Sequence, residues 1–210
     1  MKSRSSKTKI VLATSNPGKL REIRAGFRGL PFEFLSLRDV RAKGGAEEDG
    51  ATFLENAAQK SLAYSLLSGH LTLAEDSGLE VDYLKGAPGV RSARFSDPGA
   101  TDKKNIRKLL RLMKGVPWPD RRARFVCQLV LSQGGRIIKA CRGRVQGRIA
   151  LEEKGNRGFG YDPVFYYWPL RRTFGELPPR LKNAVSHRGR ALRKMRAFLL
   201  LHSRATNRGT

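Results

Sequence analysis

Residues 73–95 read LAEDSGLEVDYLKGAPGVRSARF, and the rest of the chain is arranged around them. A short apolar strand runs into two adjacent acids, Glu75 and Asp76, followed at once by Ser77 and Gly78. Leu71, Leu73 and Glu75 share one face of such a strand and Thr72, Ala74 and Asp76 the other, so the two carboxylates leave the backbone in opposite directions and only one faces a given pocket. Ser77-Gly78 predicts a tight turn that stops the strand at the acids and exposes backbone N–H groups beside them. That arrangement suits a divalent cation held together with a phosphate. Taken alone, it equally describes a strand end with solvated acids.

Upstream, Lys9 to Thr14 (KIVLAT) reads as a buried first strand, and Pro17-Gly18-Lys19 leads directly into a helix in which Leu20, Ile23 and Phe27 recur at helical spacing. Ser15 or Asn16 caps that helix, Pro17 suits its first position, and its free amides form an anion site with Lys19 one turn in. The logic is that of a phosphate loop without its sequence, because no G-x-x-x-x-G-K-[ST] occurs. Phe32 to Leu37 is a second strand. Residues 41–50 (RAKGGAEEDG) form a glycine-rich acidic loop, and Thr52 with Glu55 makes a capping box for the next helix, with Leu54, Ala58, Leu62 and Leu66 as its expected buried row and Gly69 as its stop. Lys60 lies off that row, and Glu47 and Glu48 precede the helix N-terminus, where acids favour the dipole. The alternative for one of these acids is a second carboxylate for a metal held by Asp76.

Downstream, Thr101 opens a helix with Ile106, Leu109, Leu110 and Met113 inward. Arg124 to Leu131 and Arg136 to Ile149 alternate as a hairpin about Gly134-Gly135. The loop GNRGFGYDPVFY (155–166) frees the backbone around Phe159, so that its ring can lie against a ligand or pack in a core. Asp162 before Pro163 is held extended. Lys182 and SHRGRAL lead into a basic last helix, Arg190 to His202.

The 210 residues carry a net charge of +24, from 42 Lys and Arg against 18 Asp and Glu. Basic residues are scattered through nearly every segment, and no recognition signature accompanies them, so no nucleic-acid partner is expected from the linear sequence. Apolar runs fall far short of the roughly 20 residues that span a bilayer. The basic start lacks the apolar core of a secretory signal, which makes a cytoplasmic protein the expectation. Cys127 and Cys141 read as reduced packing residues. Residues 1–8 are expected to be a basic disordered tail, 9–201 a single domain and 202–210 a C-terminal tail.

TSNPGK, EEDG before TFLENA, AEDSG, GAPGVRSAR, GFGYDP and K-x-x-x-SHRGRAL occur in this order from about Lys9 to Leu200. Together they resemble the Ham1-like family of noncanonical purine nucleoside triphosphate pyrophosphatases, also called the inosine triphosphate pyrophosphatase or XTP/dITP diphosphatase family. The related Maf-like pyrophosphatases open differently, with S-x-S-P-R-R. The resemblance implies an α/β fold with a long twisted mixed central sheet flanked by helices, two lobes with a substrate cleft between them, and a homodimer.

It also implies magnesium-dependent hydrolysis of ITP, dITP and XTP to the monophosphate and pyrophosphate. Carried over by position, Thr14, Ser15, Asn16, Pro17, Gly18 and Lys19 would line the triphosphate site and Lys60 would add a phosphate contact. Glu48 and Asp76 would hold Mg2+, with Asp76 acting as general base, as metal ligand or as both, and Ser77 would bind substrate beside them. Phe159 would stack on the base, Gly160, Tyr161 and Asp162 would complete its pocket, and Lys182, His187 and Arg188 would close over the nucleotide. Arg188 and His187 would satisfy a 6-keto oxygen, which adenine lacks. Many relatives carry Asp where this chain has Glu75, which is therefore left without a role, and Leu181 stands where a Glu commonly precedes the lysine. A basic nucleic-acid-binding module and a phosphatase releasing orthophosphate are the competing classes.

Overall fold

In the computed structural model, which describes residues 7–42 and 46–206, the sheet is built outward from one fully apolar strand. β1 (Lys9–Ala13) is buried from Ile10 onward. It pairs in parallel with β2 (Glu33–Ser36) on one side, Lys9 opposite Glu33, and on the other with β3 (Leu71–Val81), Ile10 opposite Leu71. A strand covered on both faces by parallel neighbours and helices has no polar side, so its sequence does not alternate.

α1 (Pro17–Gly26) follows β1, and Asn16 rather than Ser15 is its cap, accepting from the Lys19 amide at 3.0 Å. α2 (Phe53–Ser68) starts in the expected capping box, with Glu55 N to Thr52 Oγ1 at 3.2 Å and Thr52 N to Glu55 Oε2 at 3.1 Å. It ends at Gly69 with φ +67°, a left-handed conformation that favours glycine.

Four further strands and three α-helices follow, with short 3-10 helices in the connections: α3 (Asp102–Leu112), β4 (Arg122–Gln133), β5 (Arg136–Ile149), β6 (Phe165–Tyr167), β7 (Arg172–Thr173), α4 (Pro179–Val185) and α5 (His187–Thr206). The sheet order is β2-β1-β3-β4-β5-β6-β7, parallel at β2-β1-β3 and antiparallel at β5-β6-β7, which is the mixed sheet expected. The chain divides into two compact units. The first takes the chain through Asp76, Gln128–Cys141 and the chain from Ala191; the second takes Ser77–Cys127 and Arg142–Arg190.

The chain departs from the sequence expectations at three places. β3 does not stop at Glu75 and Asp76; it continues through Ser77 and Gly78 to Val81. Gly78 takes no left-handed φ, and Leu79 and Val81 resume the buried alternation, so the small residues lie within a strand. In α2 the expected row fails, since Leu54 and Leu66 are exposed while Asn56, Ala57, Lys60, Ser61 and Tyr64 are buried. The buried face tolerates polar groups because they are matched: Ser61 Oγ lies 2.9 Å from the Thr72 carbonyl and 2.8 Å from Ser132 Oγ. The last helix begins at His187 and runs to Thr206, overrunning the expected helix from Arg190 to His202 at both ends. Residues 1–6 of the expected N-terminal tail, 43–45 of the acidic loop and 207–210 of the C-terminal tail lie outside the described residues.

In the first unit, α1 and α5 pack closely enough that a Cβ on Gly26 would meet Leu192 Cδ1 at 2.9 Å. Arg196 caps the end of α1, its Nη1 lying 2.9 Å from the Arg28 carbonyl.

The core of the second unit gathers Ile106, Leu109, Met113, Val145 and Ile149 around the rings of Phe125, Phe165 and Phe174. Phe125 and Phe165 have centroids 4.6 Å apart. Beside this core lies the buried guanidinium of Arg121, satisfied by main-chain oxygens: Met113 at 2.6 Å, Ile149 at 2.7 Å and Ala150 at 2.8 Å. It joins the end of α3 to the end of β5. Arg121→Met takes this donor from the Ile149 and Ala150 carbonyls, while the Met113 oxygen keeps the Val116 amide at 3.2 Å, so a loss of about 3 kcal/mol is expected from urea unfolding.

Candidate active site

The residues singled out from the sequence fall into two sets, one in each unit. In the first unit, β1, α1, α2 and β3 bring four charged groups to Asp76. α1 carries Lys19, whose Nζ lies 4.0 Å from Asp76 Oδ1 and 3.7 Å from Glu75 Oε1. α2 carries Lys60, whose Nζ is 3.9 Å from Asp76 Oδ1 and 2.9 Å from Glu48 Oε2. A lysine ammonium therefore lies between the two carboxylates expected to serve a metal.

Burial raises the Asp76 pKa above its ordinary 3.8, because the charged form loses its water. Lys19 and Lys60 pull it back down, Glu48 pushes it up and the Asn56 amide lowers it; burial prevails. Lys60 is neither solvated nor off the buried face, since it is only 8% exposed.

The loop at the start of α1 differs in detail from the expectation of open amides. The Lys19 N–H is already donated to Asn16 Oδ1, and Asn16 N donates to Thr14 Oγ1 at 3.2 Å. Ser15, Asn16 and Pro17 are exposed, while Thr14 and Lys19 are half-buried. What this loop offers an anion is chiefly the ammonium of Lys19.

In the second unit, the loop around Phe159 is held from below. Asp162, fully buried, accepts from the Phe159 amide at 2.8 Å and is ion-paired through the same Oδ2 with Lys182 Nζ. A Cβ on Gly158 would strike that carboxylate, and φ there is +79°, so both space and backbone call for glycine. Gly160 N donates to Asp102 Oδ2 at 2.7 Å. Half-buried Phe159 has Lys182 Nζ 4.7 Å and the Arg188 guanidinium carbon 5.2 Å from its ring centre.

Arg188, buried at the start of α5, also donates to Ser77 Oγ at 3.0 Å. His187 stacks on Phe125 at 4.6 Å. Tyr161 turns inward, its hydroxyl donating to the Ser92 carbonyl at 2.9 Å within the core. Burial pushes its pKa well above the usual phenol value.

The chain as a whole has counterparts in known proteins. The model of the Ham1 family matches residues 10–198. The chain belongs to the Ham1 family. The dITP/XTP pyrophosphatase of Desulforamulus reducens is 45% identical over 91% of this chain and 95% of that protein, and the dITP/XTP pyrophosphatase of Geobacter sulfurreducens 46% over 91% and 96%. The structure of a HAM1 protein from Coxiella burnetii superposes with a TM-score of 0.85 at 39% identity, covering 92% of this chain and 98% of that one. The Staphylococcus aureus Ham1 protein gives 0.84 at 37%, covering 93% and 100%. The fold is thus the α/β, Maf/Ham1-like arrangement expected.

For a Ham1 chain, the donors near Asp76 suit magnesium. That ion keeps several waters and takes one or two carboxylates together with substrate phosphate oxygens. Among the described residues no cluster of three or more His, Cys, Asp or Glu could hold a metal by itself.

Two groups escaped the sequence reading. Glu75 is almost fully buried and within reach of Lys19. Asn56, 1% exposed, donates to Asp76 Oδ2 at 3.2 Å while its Oδ1 accepts from Gly50 N at 2.9 Å. It ties the loop carrying Glu48 to Asp76. The available signal was its spacing, one helical turn before Lys60 and so on the same face. Asn56→Ala is expected to lower kcat by about 10-fold or more with a smaller change in KM, since a mispositioned carboxylate costs more in the transition state than in binding. Steady-state kinetics on ITP measures this.

Proposed function

We propose that the protein hydrolyses noncanonical purine nucleoside triphosphates, ITP, dITP and XTP, to the monophosphate and pyrophosphate with magnesium. The observation that carries this reading is the convergence of Lys19 and Lys60 on one buried aspartate, with Glu48 alongside. The two ammoniums and the two carboxylates cancel formally, so a triphosphate and its cation can enter together, the cation on the carboxylates and the phosphate oxygens on the lysines. Bound by Glu48 and Asp76 together with phosphate oxygens, magnesium would neutralise charge and polarise the reacting phosphoanhydride. Lys19 and Lys60 exchange their carboxylate partners for phosphate oxygens. Asp76, with its raised pKa, takes the proton of the water whose oxygen attacks the α-phosphorus, and the bond to the bridging oxygen breaks so that pyrophosphate leaves.

The second set of residues handles the base. Phe159 offers a ring for stacking, and Arg188 and His187 donate toward a 6-keto oxygen. The adenine amino group would leave such a buried donor unmatched, at a cost of about 1–3 kcal/mol. Exclusion of guanine falls to the edge at position 2 of the ring. Magnesium, the homodimer and the cytoplasmic location belong to the same proposal. No helix among the described residues is long and apolar enough to cross a membrane.

Incubation with ITP, XTP, dITP and ATP plus magnesium, with products resolved by anion exchange, is the test. Pyrophosphate from the first three and little from ATP is expected; orthophosphate as first product would overturn the reading.

A further inference from the structure

The charge of +24 has no use in the chemistry above, which needs a few lysines and arginines at one place. The fold collects a share of the remainder on one face of the sheet in the second unit. From Arg142 to Ile149, β5 alternates strictly: Gly143, Val145, Gly147 and Ile149 are buried, whereas Arg142, Arg144 and Gln146 are exposed and Arg148 is half-buried. No acid occurs anywhere in β5. Side chains at every second residue of a strand are about 6.8 Å apart, comparable to successive phosphates along an extended single strand of nucleic acid.

Neighbouring elements reinforce the row. Ile149 N donates to the Arg121 carbonyl at 2.9 Å, which sets exposed Arg122 beside Arg148 on the adjoining strand. Like charges directly opposite are unfavourable in a sheet unless an anion lies between them. Arg190 reaches the Arg144 carbonyl at 3.1 Å. The carboxylates facing β4, Glu80 and Asp82, are taken by Arg124.

At the Arg148 end stands an aromatic group. The Arg148 guanidinium carbon lies 5.4 Å from the centre of Trp118, which meets Tyr166, the cross-strand partner of Arg148, edge-on at 5.3 Å. Trp118 is 39% exposed and Trp168, next to β6, 63%. A basic track ending on accessible rings is the chemistry that binds single strands, with phosphates on the arginines and bases stacked on the aromatics. No linear motif announces it, because the track comes from strand alternation and pairing.

We propose that the arginine-bearing face of β5, with Trp118 and Tyr166 at its end, is a binding surface for single-stranded nucleic acid. A second copy of this chain is a poorer occupant, since a two-fold contact would set arginines against arginines.

The test uses the full chain and fluorescein-labelled 15-mers of uridine and of thymidine, titrated by anisotropy from about 50 to 200 mM salt. Each phosphate neutralised in a single strand contributes about −0.7 to the slope of log affinity against log salt, so three arginines give roughly −2. The triple variant Arg142→Gln/Arg144→Gln/Arg148→Gln should lose most of that slope and bind at least 10-fold more weakly at the low-salt end, with ITP hydrolysis and Tm unchanged. Trp118→Leu should weaken binding while leaving the slope intact, because stacking releases no counterions.

Binding of either 15-mer on these terms supports the proposal, and the difference between them reports ribose preference. An unchanged slope in the triple variant would overturn it, showing that the total charge binds without a particular face. So would equal competition by a 15-base-pair duplex, or a change of oligomeric state by light scattering in the triple variant with no oligonucleotide bound by the wild type.

Discussion

Asp76→Asn is expected to lower kcat on ITP by about 10³-fold or more while making the metal-free protein more stable at neutral pH. The two effects share a cause. Asp76 is 7% exposed, and burial raises its pKa despite the attraction of Lys19 and Lys60. The folded protein therefore binds this proton more tightly than the unfolded chain does. The contribution to stability is fully present below the ordinary value of 3.8 and is lost as the pH rises through the raised value. At pH 7 the wild type carries an ionised, poorly solvated carboxylate that asparagine lacks. Thermal unfolding in a chelator should show a higher Tm for the variant at pH 7 and a gap that narrows toward pH 4. A variant with full turnover would remove Asp76 from the chemistry; one less stable than the wild type at both pH values would show that the lysines outweigh desolvation.

Asp162→Asn should be the most damaging change in the second unit, with a loss of about 3–5 kcal/mol in stability and 100-fold or more in kcat/KM. One oxygen of Asp162 serves both the part-buried Phe159 amide and the buried Lys182 ammonium. Asparagine removes the negative charge that the Lys182 ammonium, 3% exposed, meets at Asp162 Oδ2, and removing one partner from such a pair costs far more than replacing both. The double variant Asp162→Asn/Lys182→Met should therefore recover much of the stability, measured by denaturant unfolding, and little of the activity. Recovery of activity along with stability would show that the pair serves folding alone. In this arrangement Asp162 holds Phe159 and Lys182 in place, whereas the sequence suggested that it would line the base pocket.

Local chemistry was the part of the molecule most readily read from the sequence. An unbroken apolar run announced β1, and Thr52-x-x-Glu55 with Gly69 announced both ends of α2. These signals are complete within a few neighbouring residues. The errors came where a residue's role depends on distant partners. Ser77-Gly78 has turn composition, yet pairing on both sides and the return of buried Leu79 and Val81 keep it extended. The helical periodicity of Leu54, Ala58, Leu62 and Leu66 is real, but α2 is oriented by polar groups that find Asp76, Thr72 and Ser132. Lys19, Lys60 and Asp76 meet as anticipated, on three elements separated in sequence. Glu75 takes no role in the sequence because many relatives carry Asp there, and alternation turns only one of the two acids toward a given pocket, yet Lys19 lies within 4.0 Å of both carboxylates.

The path of the polypeptide between its two units has a practical consequence. The chain passes from one to the other at 76/77, 127/128, 141/142 and 190/191, each time inside a strand or a helix. Neither unit can be excised as a contiguous fragment, and a protease nick in a loop between residues 77 and 190 would divide both of them. Fusions and inserted tags thus belong in the loops, and a chain truncated ahead of α5 would lose Arg188 together with the buried side chains of Leu192, Met195 and Leu199.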